Sequence, residues 1–283
     1  MVADKLGDRM KENYENRSKT YLTRRIPVLL RLDGCHFHTF TKGLKKPYDS
    51  LFIEVMQKTT KSLCESIQGC KFGYVESDEI SLLLTDYDTL KTDAWFDYSV
   101  QKICSVAASM AAMFFNRHLK ECVDEFYEKN VKDNQHEDNN ERYYDVLKKK
   151  VELGGYFDAR AFNLPEHEVV NYFIWRQNDA TRNSIQGLAQ ANFSQKQLQG
   201  LNNSQLQDKL HEEKGINWND YKTVEKRGSA VIKVLDPITG HSKWTVDIEM
   251  PIISQNKDYI ENILKNIGKT EKKACVFLGN ELI

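Results

Sequence analysis

The sequence predicts an α+β protein built on the ferredoxin-like order β-α-β-β-α-β, with further helices and a β-hairpin appended to it. Three observations carry that expectation. A short apolar run at 26–33 ends in charge, two β-rich runs within 72–84 flank four polar residues, and helical apolar spacing recurs over 49–67 and 95–119.

Taken in order, IPVLLRLD (26–33) is too short for a core helix and suits a buried central strand. After a Gly- and Lys-rich loop, Leu51, Phe52, Val55, Met56, Leu63 and Ile67 repeat at helical spacing, with Asp49 or Ser50 as N-cap. FGYV (72–75) and ISLLL (80–84) then flank Glu76, Ser77, Asp78 and Glu79, an interruption short enough for a hairpin turn. Phe96, Val100, Ile103, Ala107, Met110 and Phe114 predict a second core-facing helix over 95–119. The charged, Asn-rich segment 131–142 reads as a mobile loop within a surface insertion spanning 131–152, and GYFDARAF (155–162) supplies the fourth strand. Beyond Pro165, helical patterns cover 166–190 and 194–213, the latter ending before Gly215, and a hairpin turns around Asp236 to Gly240.

Composition limits the partners. With 283 residues, 40% of them hydrophobic, the chain can build a sizeable core, which excludes global disorder. Its formal charge of −1 means that a nucleic-acid partner must be met by a local basic patch. No apolar run reaches the roughly 18 residues of a membrane span, so no membrane partner is expected. Asp4, Asp8, Glu12 and Glu15 make the start unlike a signal or transit peptide; a cytoplasmic location is expected, with an organellar one left open. Six dispersed cysteines without a C-x-x-C pair read as free thiols.

The chemistry concentrates at one predicted sheet edge. In a ferredoxin-like sheet Asp33, at the end of strand 1, approaches the hairpin tip that bears Asp78, bringing two carboxylates together. Hard divalent cations take oxygen ligands, and a pair of Mg²⁺ ions held there can serve nucleotidyl transfer, with the Gly34 carbonyl as a further ligand. Either acid alone equally caps a strand or solvates a turn. Glu76 and Glu79 crowd Asp78, and clustered carboxylates call for a compensating cation. Residues 17–47 hold eight cations, Arg24, Arg25 and Arg31 among them, against the single acid Asp33. Such a patch suits RNA or triphosphate phosphates, or is simply a solvated face. Lys102 and Arg160 are further phosphate candidates. Cys35-His36-Phe37-His38 has a His-x-His spacing that suggests zinc if the segment is a strand; no third ligand follows from spacing, and His38 serves equally as a nucleotide contact.

RLDGCHFHTFTKGLKKPYD (31–49), GYVESDEISLLL (73–84), FDAR (157–160) and WRQNDATRNSI (175–185) together resemble the tRNA-histidine guanylyltransferase family, which adds nucleotides in the 3′-to-5′ direction. The likeness extends from GDRMKENYE (7–15) to WTVDIEMPI (244–252). It implies a fold similar to a polymerase palm, with residues 1–165 as the catalytic domain and 166–283 as an extension packed on it. It also implies that Asp33, the Gly34 carbonyl and Asp78 hold two Mg²⁺, supported by Glu79, which counts with them as catalytic. Cys35, His36, Phe37, His38, Lys46, Asp49, Ser77 and Lys102 would line the nucleotide and triphosphate sites, while Arg24, Arg25, Arg31 and Arg160 would meet phosphates or RNA.

Where the eukaryotic enzymes of the family carry His-Ile-Asn-Asn, Thr181, Arg182, Asn183 and Ser184 stand here. That pattern resembles the family's second branch, guanylyltransferase-like proteins that repair 5′-truncated tRNAs by templated addition. The resemblance implies ATP or GTP as substrate, tRNA as partner and a homotetramer. Two other readings of the residues stand beside it: a palm-type nucleotide cyclase and a non-catalytic RNA-end-binding protein.

Overall fold

The computed structural model describes residues 5–132, 138–236 and 239–265. Its strands are β1 (Val28–Gly34), β2 (Cys70–Glu76), β3 (Glu79–Leu84), β4 (Phe157–Asn163), β5 (Ser229–Leu235) and β6 (Ser242–Asp247). The helices are α1 (Lys5–Met10), α2 (Phe37–Phe40), α3 (Ser50–Ser66), α4 (Val100–Asn130), α5 (Asp138–Leu153), α6 (Glu166–Asn192), α7 (Gln195–Leu198), α8 (Asn203–Lys214), α9 (Thr223–Arg227) and α10 (Asp258–Leu264).

The strands form one sheet in the order β4-β1-β3-β2-β5-β6, every neighbouring pair antiparallel. Its first four strands, with α3 and α4, are the expected ferredoxin-like unit. The hairpin of β5 and β6 is no separate layer, because β5 pairs with β2 and widens the same sheet. The tip residues 237–238 of that hairpin, and Cys275 among the six thiols, lie outside the described residues.

Burial on both faces explains why β1 is an interior strand, between β4 and β3. Val28, Leu30 and Leu32 point into a core shared with α3 and α4, whereas Leu29 packs on the other face with Phe72, Leu83, Val169 and Phe173. Leu29, Leu30 and Leu32 are fully buried, each contributing about 1.5–3 kcal/mol of apolar transfer. On the α6 face the same alternation places Arg31 and Asp33 beyond Leu29, so charge begins where the helical cover thins.

Two expectations are corrected. Residues 95–98 are a separate turn with Phe96, Asp97 and Tyr98 at positive φ, and the helix proper runs on to Asn130. From Asp138 the expected surface insertion is the helix α5, which packs on α4 through buried Tyr143 and Leu147. Its charge and its asparagines mask these two apolar anchors in the sequence.

Candidate active site

Two loops meet at the C-terminal end of β1. Asp33 stands in register with Glu79 of β3 on one side and Asp158 of β4 on the other. The Gly34 N–H donates to the Asp78 carbonyl at 3.1 Å, which ties the two loops together through main chain. A side chain at residue 34 would meet the Phe37 ring at 2.4 Å, so the close approach requires glycine. The hairpin closes through the two residues Ser77 and Asp78, with Ser77 in the left-handed region at φ 49°. Burial raises the Asp78 carboxyl above its ordinary range; the Ser77 hydroxyl opposes that shift and the charge of Asp33 adds to it.

A second cluster backs this edge. Arg176, on α6, donates from Nε and Nη2 to the two oxygens of Glu79 at 2.7 and 2.8 Å, and its Nη2 lies 3.4 Å from Glu76. It also reaches Asp179 at 3.1 Å, which Arg182 bonds from the outer side. Burial and the neighbouring Glu79 push the Glu76 carboxyl up to about 8, with Arg176 pulling the other way. Burial likewise raises Glu79 despite its paired guanidinium. Hence the cation that compensates Glu79 is a side chain, while Glu76 beside it is driven toward its neutral form. Arg31 lies with its Nε 4.0 Å from Glu79 and without a hydrogen-bond partner, its guanidinium 5.9 Å from the Trp175 ring. Arg160, opposite it on β4, bonds Asp158.

Beside the hairpin tip opens a cavity of about 290 Å³, lined among others by Lys46, Asp49, Ser77, Asn183, Ser184 and Lys226. Asp49 forms its wall from beneath. One carboxylate oxygen caps α3 at Phe52 N, and the other accepts from Lys45 N at 2.8 Å and the Tyr143 hydroxyl at 2.6 Å. Its oxygens are therefore spent on shaping the 45–49 loop. Ser184 closes the opposite wall, its Oγ within 3.1 Å of the Tyr48 hydroxyl and accepting from Trp218 Nε1 at 2.7 Å.

Several expected site residues lie elsewhere. Phe37 is buried in a cluster of phenylalanines with Phe40, Phe52, Phe115 and Phe157, out of reach of a nucleotide. Arg24 and Arg25 precede the far end of β1. Arg24 is taken up by Asp86, Asp97 and the Thr92 carbonyl, and Arg25 by the carbonyls of Thr89 and Leu90, so both brace the 86–97 loop. Lys102 lies in the first turn of α4, against Phe96, at that same far end of the sheet. His36, on the turn into α2, and His38, within α2, are exposed and not on a strand, and Cys35 lies against Asp158. Among the described residues no group of three or more His, Cys, Asp or Glu side chains is gathered to hold a metal, so the zinc reading finds no support.

Sequence reasoning missed Arg176 as a site-forming residue. The signal was present: it falls on the apolar stripe of α6 beside Tyr172, Phe173 and Ala180, where a cation needs a buried partner.

This geometry can be set beside known proteins. A model of the family described as Thg1, tRNAHis guanylyltransferase, matches residues 7–165. The structure of a bacterial tRNA(His) guanylyltransferase-like protein in complex with ATP superposes with a TM-score of 0.76 at 44% identity, covering 91% of this chain and 98% of that one. Such a protein in complex with GTP gives 0.74 at 42%, covering 92% and 99%. The tRNA(His) guanylyltransferase of Debaryomyces hansenii is 27% identical over 222 aligned residues, with 74% of each chain covered. The joined acidic loops, the four-strand palm order and these matches agree: the chain belongs to the tRNA-histidine guanylyltransferase family of nucleotidyltransferases.

Proposed function

We propose that this protein extends the 5′ end of tRNA by templated 3′-to-5′ addition. The observation that carries the reading is the main-chain bond from Gly34 to Asp78, which sets two acidic loops edge to edge next to a cavity lined by Lys46 and Ser77. In the first step an oxygen of the RNA 5′-monophosphate attacks the α-phosphorus of ATP or GTP. The bond to the leaving pyrophosphate breaks and a 5′-5′ pyrophosphate-linked end forms. In the second, the 3′-hydroxyl of an incoming nucleoside triphosphate attacks the activated 5′-phosphorus, releasing the nucleoside monophosphate and losing its proton to solvent.

The residues present suit the Mg²⁺ that the family implies. Asp33 and Asp78 are acidic neighbours, one charge raising the other's carboxyl, and the donor set of carboxylates and the Gly34 carbonyl is oxygen alone. Mg²⁺ is commonly held by one or two carboxylates together with substrate phosphates and water, so no larger protein cage is needed. When bound, it would supply charge neutralisation for the triphosphate and acidify the attacking hydroxyl. Glu79, already gripped by Arg176, positions the hairpin instead of facing a cation. Lys46 and Ser77 border the cavity where a triphosphate would pass, and Arg31 and Arg160 flank the acids as counter-charges for the RNA phosphate.

Ser184, at the last position of the departed His-Ile-Asn-Asn stretch, is spent on Tyr48 and Trp218, so it offers little for reading a base. That favours choice of nucleotide by pairing with the opposite strand. The test supplies tRNAs lacking one 5′ nucleotide, opposite each of the template bases, with Mg²⁺ and all four nucleotides. Addition following the template supports the reading. Guanosine regardless of template overturns the templated part, and cyclic product formed without RNA overturns the whole.

A further inference from the structure

A basic strip runs outward from the acidic edge along α5 and the 41–46 loop. Gly43 brings this loop against α5, where a side chain at 43 would meet Val146 at 3.2 Å. Arg142, Val146, Lys149 and Leu153 recur at i, i+4, i+7 and i+11, one ridge of the helix, and the acids Glu141, Asp145 and Glu152 lie on the adjoining ridge without pairing with either cation. Lys42, Arg142 and Lys149 are exposed, and none has a carboxylate partner among the described residues. On α3 and α4, by contrast, Lys58, Lys61, Lys120 and Lys129 each meet an acid one turn away. Arg142 and Lys149 on α5, with Lys42 on the loop packed against it, thus form an unpaired group beside helices whose lysines are paired.

The strip is continuous with the site. Past Leu153, Gly155 is anchored by Asn116, and Tyr156 follows, exposed, with His36 at 6.2 Å and its carbonyl bonded by Cys35 N–H. Two residues on, Asp158 stands opposite Asp33. Cations followed by an exposed ring is the arrangement that tracks a phosphate backbone and stacks a base.

We propose that Lys42, Arg142 and Lys149 carry the phosphates of the RNA strand whose end enters the Asp33 edge, with Tyr156 as the stacking surface next to that edge. This rests on the RNA-end reading above and relocates the RNA path from Arg24 and Arg25 to α5.

The test measures tRNA affinity of the full chain against salt for the wild type, Lys149→Glu, and the triple variant Lys42→Glu/Arg142→Glu/Lys149→Glu. A matched control reverses Lys58, Lys120 and Lys129. The triple variant is expected to bind about tenfold or more weakly at about 100 mM salt, its log-log salt slope smaller by two to three, and Lys149→Glu smaller by about one. ATP affinity should stay at the wild-type value in both, which also reports folding. Tyr156→Ala should weaken tRNA binding with the salt slope unchanged. Wild-type affinity and slope in the triple variant, or an equal loss in the control, overturns the strip. A wild-type protein that extends no tRNA overturns the parent reading, and these two failures are told apart by the wild-type lane alone.

Discussion

Arg176 grips both carboxylate oxygens of Glu79, a residue 97 positions earlier in the chain, and so bolts α6 to the hairpin that presents Asp78. Its side chain is nearly buried, as is that of Glu79. Arg176→Met would leave the nearly buried Glu79 without a counter-charge and should cost about 3–5 kcal/mol of stability by urea unfolding. Arg176→Lys keeps the charge, loses the two-pronged contact and should fall between. Wild-type stability in Arg176→Met would show that the cluster is not structural.

The raised Glu76 carboxyl makes stability pH-dependent in a defined direction. Its value in the fold is about 8 against an ordinary 4.5, so between these the folded protein holds a proton that the unfolded chain has lost. The contribution of Glu76 to stability without divalent cations should therefore be fully present below about 4.5, decline as pH rises to about 8, and level off above it. In Glu76→Gln this part of the decline disappears. The variant should gain on the wild type steadily from pH 5 to about 8.5 in parallel thermal melts; parallel curves for the two proteins would contradict the assignment.

The layout was largely legible because apolar periodicity records which face of an element is buried. The runs at 28–32 and 80–84 and the helical stripe of α3 are local patterns, and four polar residues between two apolar runs mark the hairpin, whose turn proper is Ser77 and Asp78. What was hidden depends on distant partners. Tyr143 and Leu147 are too few to mark α5 as a packed helix, and a count of cations over 17–47 does not tell which end of β1 each one reaches. Charge suggests Arg24, and the family resemblance Lys102, as phosphate contacts, yet both lie at the opposite end of the strand direction, while Phe37, a nucleotide contact by the same resemblance, belongs to the core.

Arg24 offers a direct contrast between bracing and binding. Asp86 is fully buried, and Arg24 supplies its counter-charge at 2.5 Å. Arg24→Ala should lower the thermal midpoint clearly, since it strands a buried carboxylate, and leave tRNA affinity of the folded protein within about twofold. A large loss of affinity with an unchanged midpoint would restore Arg24 to the RNA path.

Asp78→Asn keeps the size and the main-chain bond to Gly34 while removing one of the two facing charges. The direct measurement is single-turnover extension of a 5′-truncated tRNA by this variant and by Asp33→Asn, with tRNA affinity followed alongside. Both should lose about a thousandfold or more in rate while binding tRNA as the wild type does. Extension within about tenfold of wild type by either variant would contradict the account of how this acidic edge works.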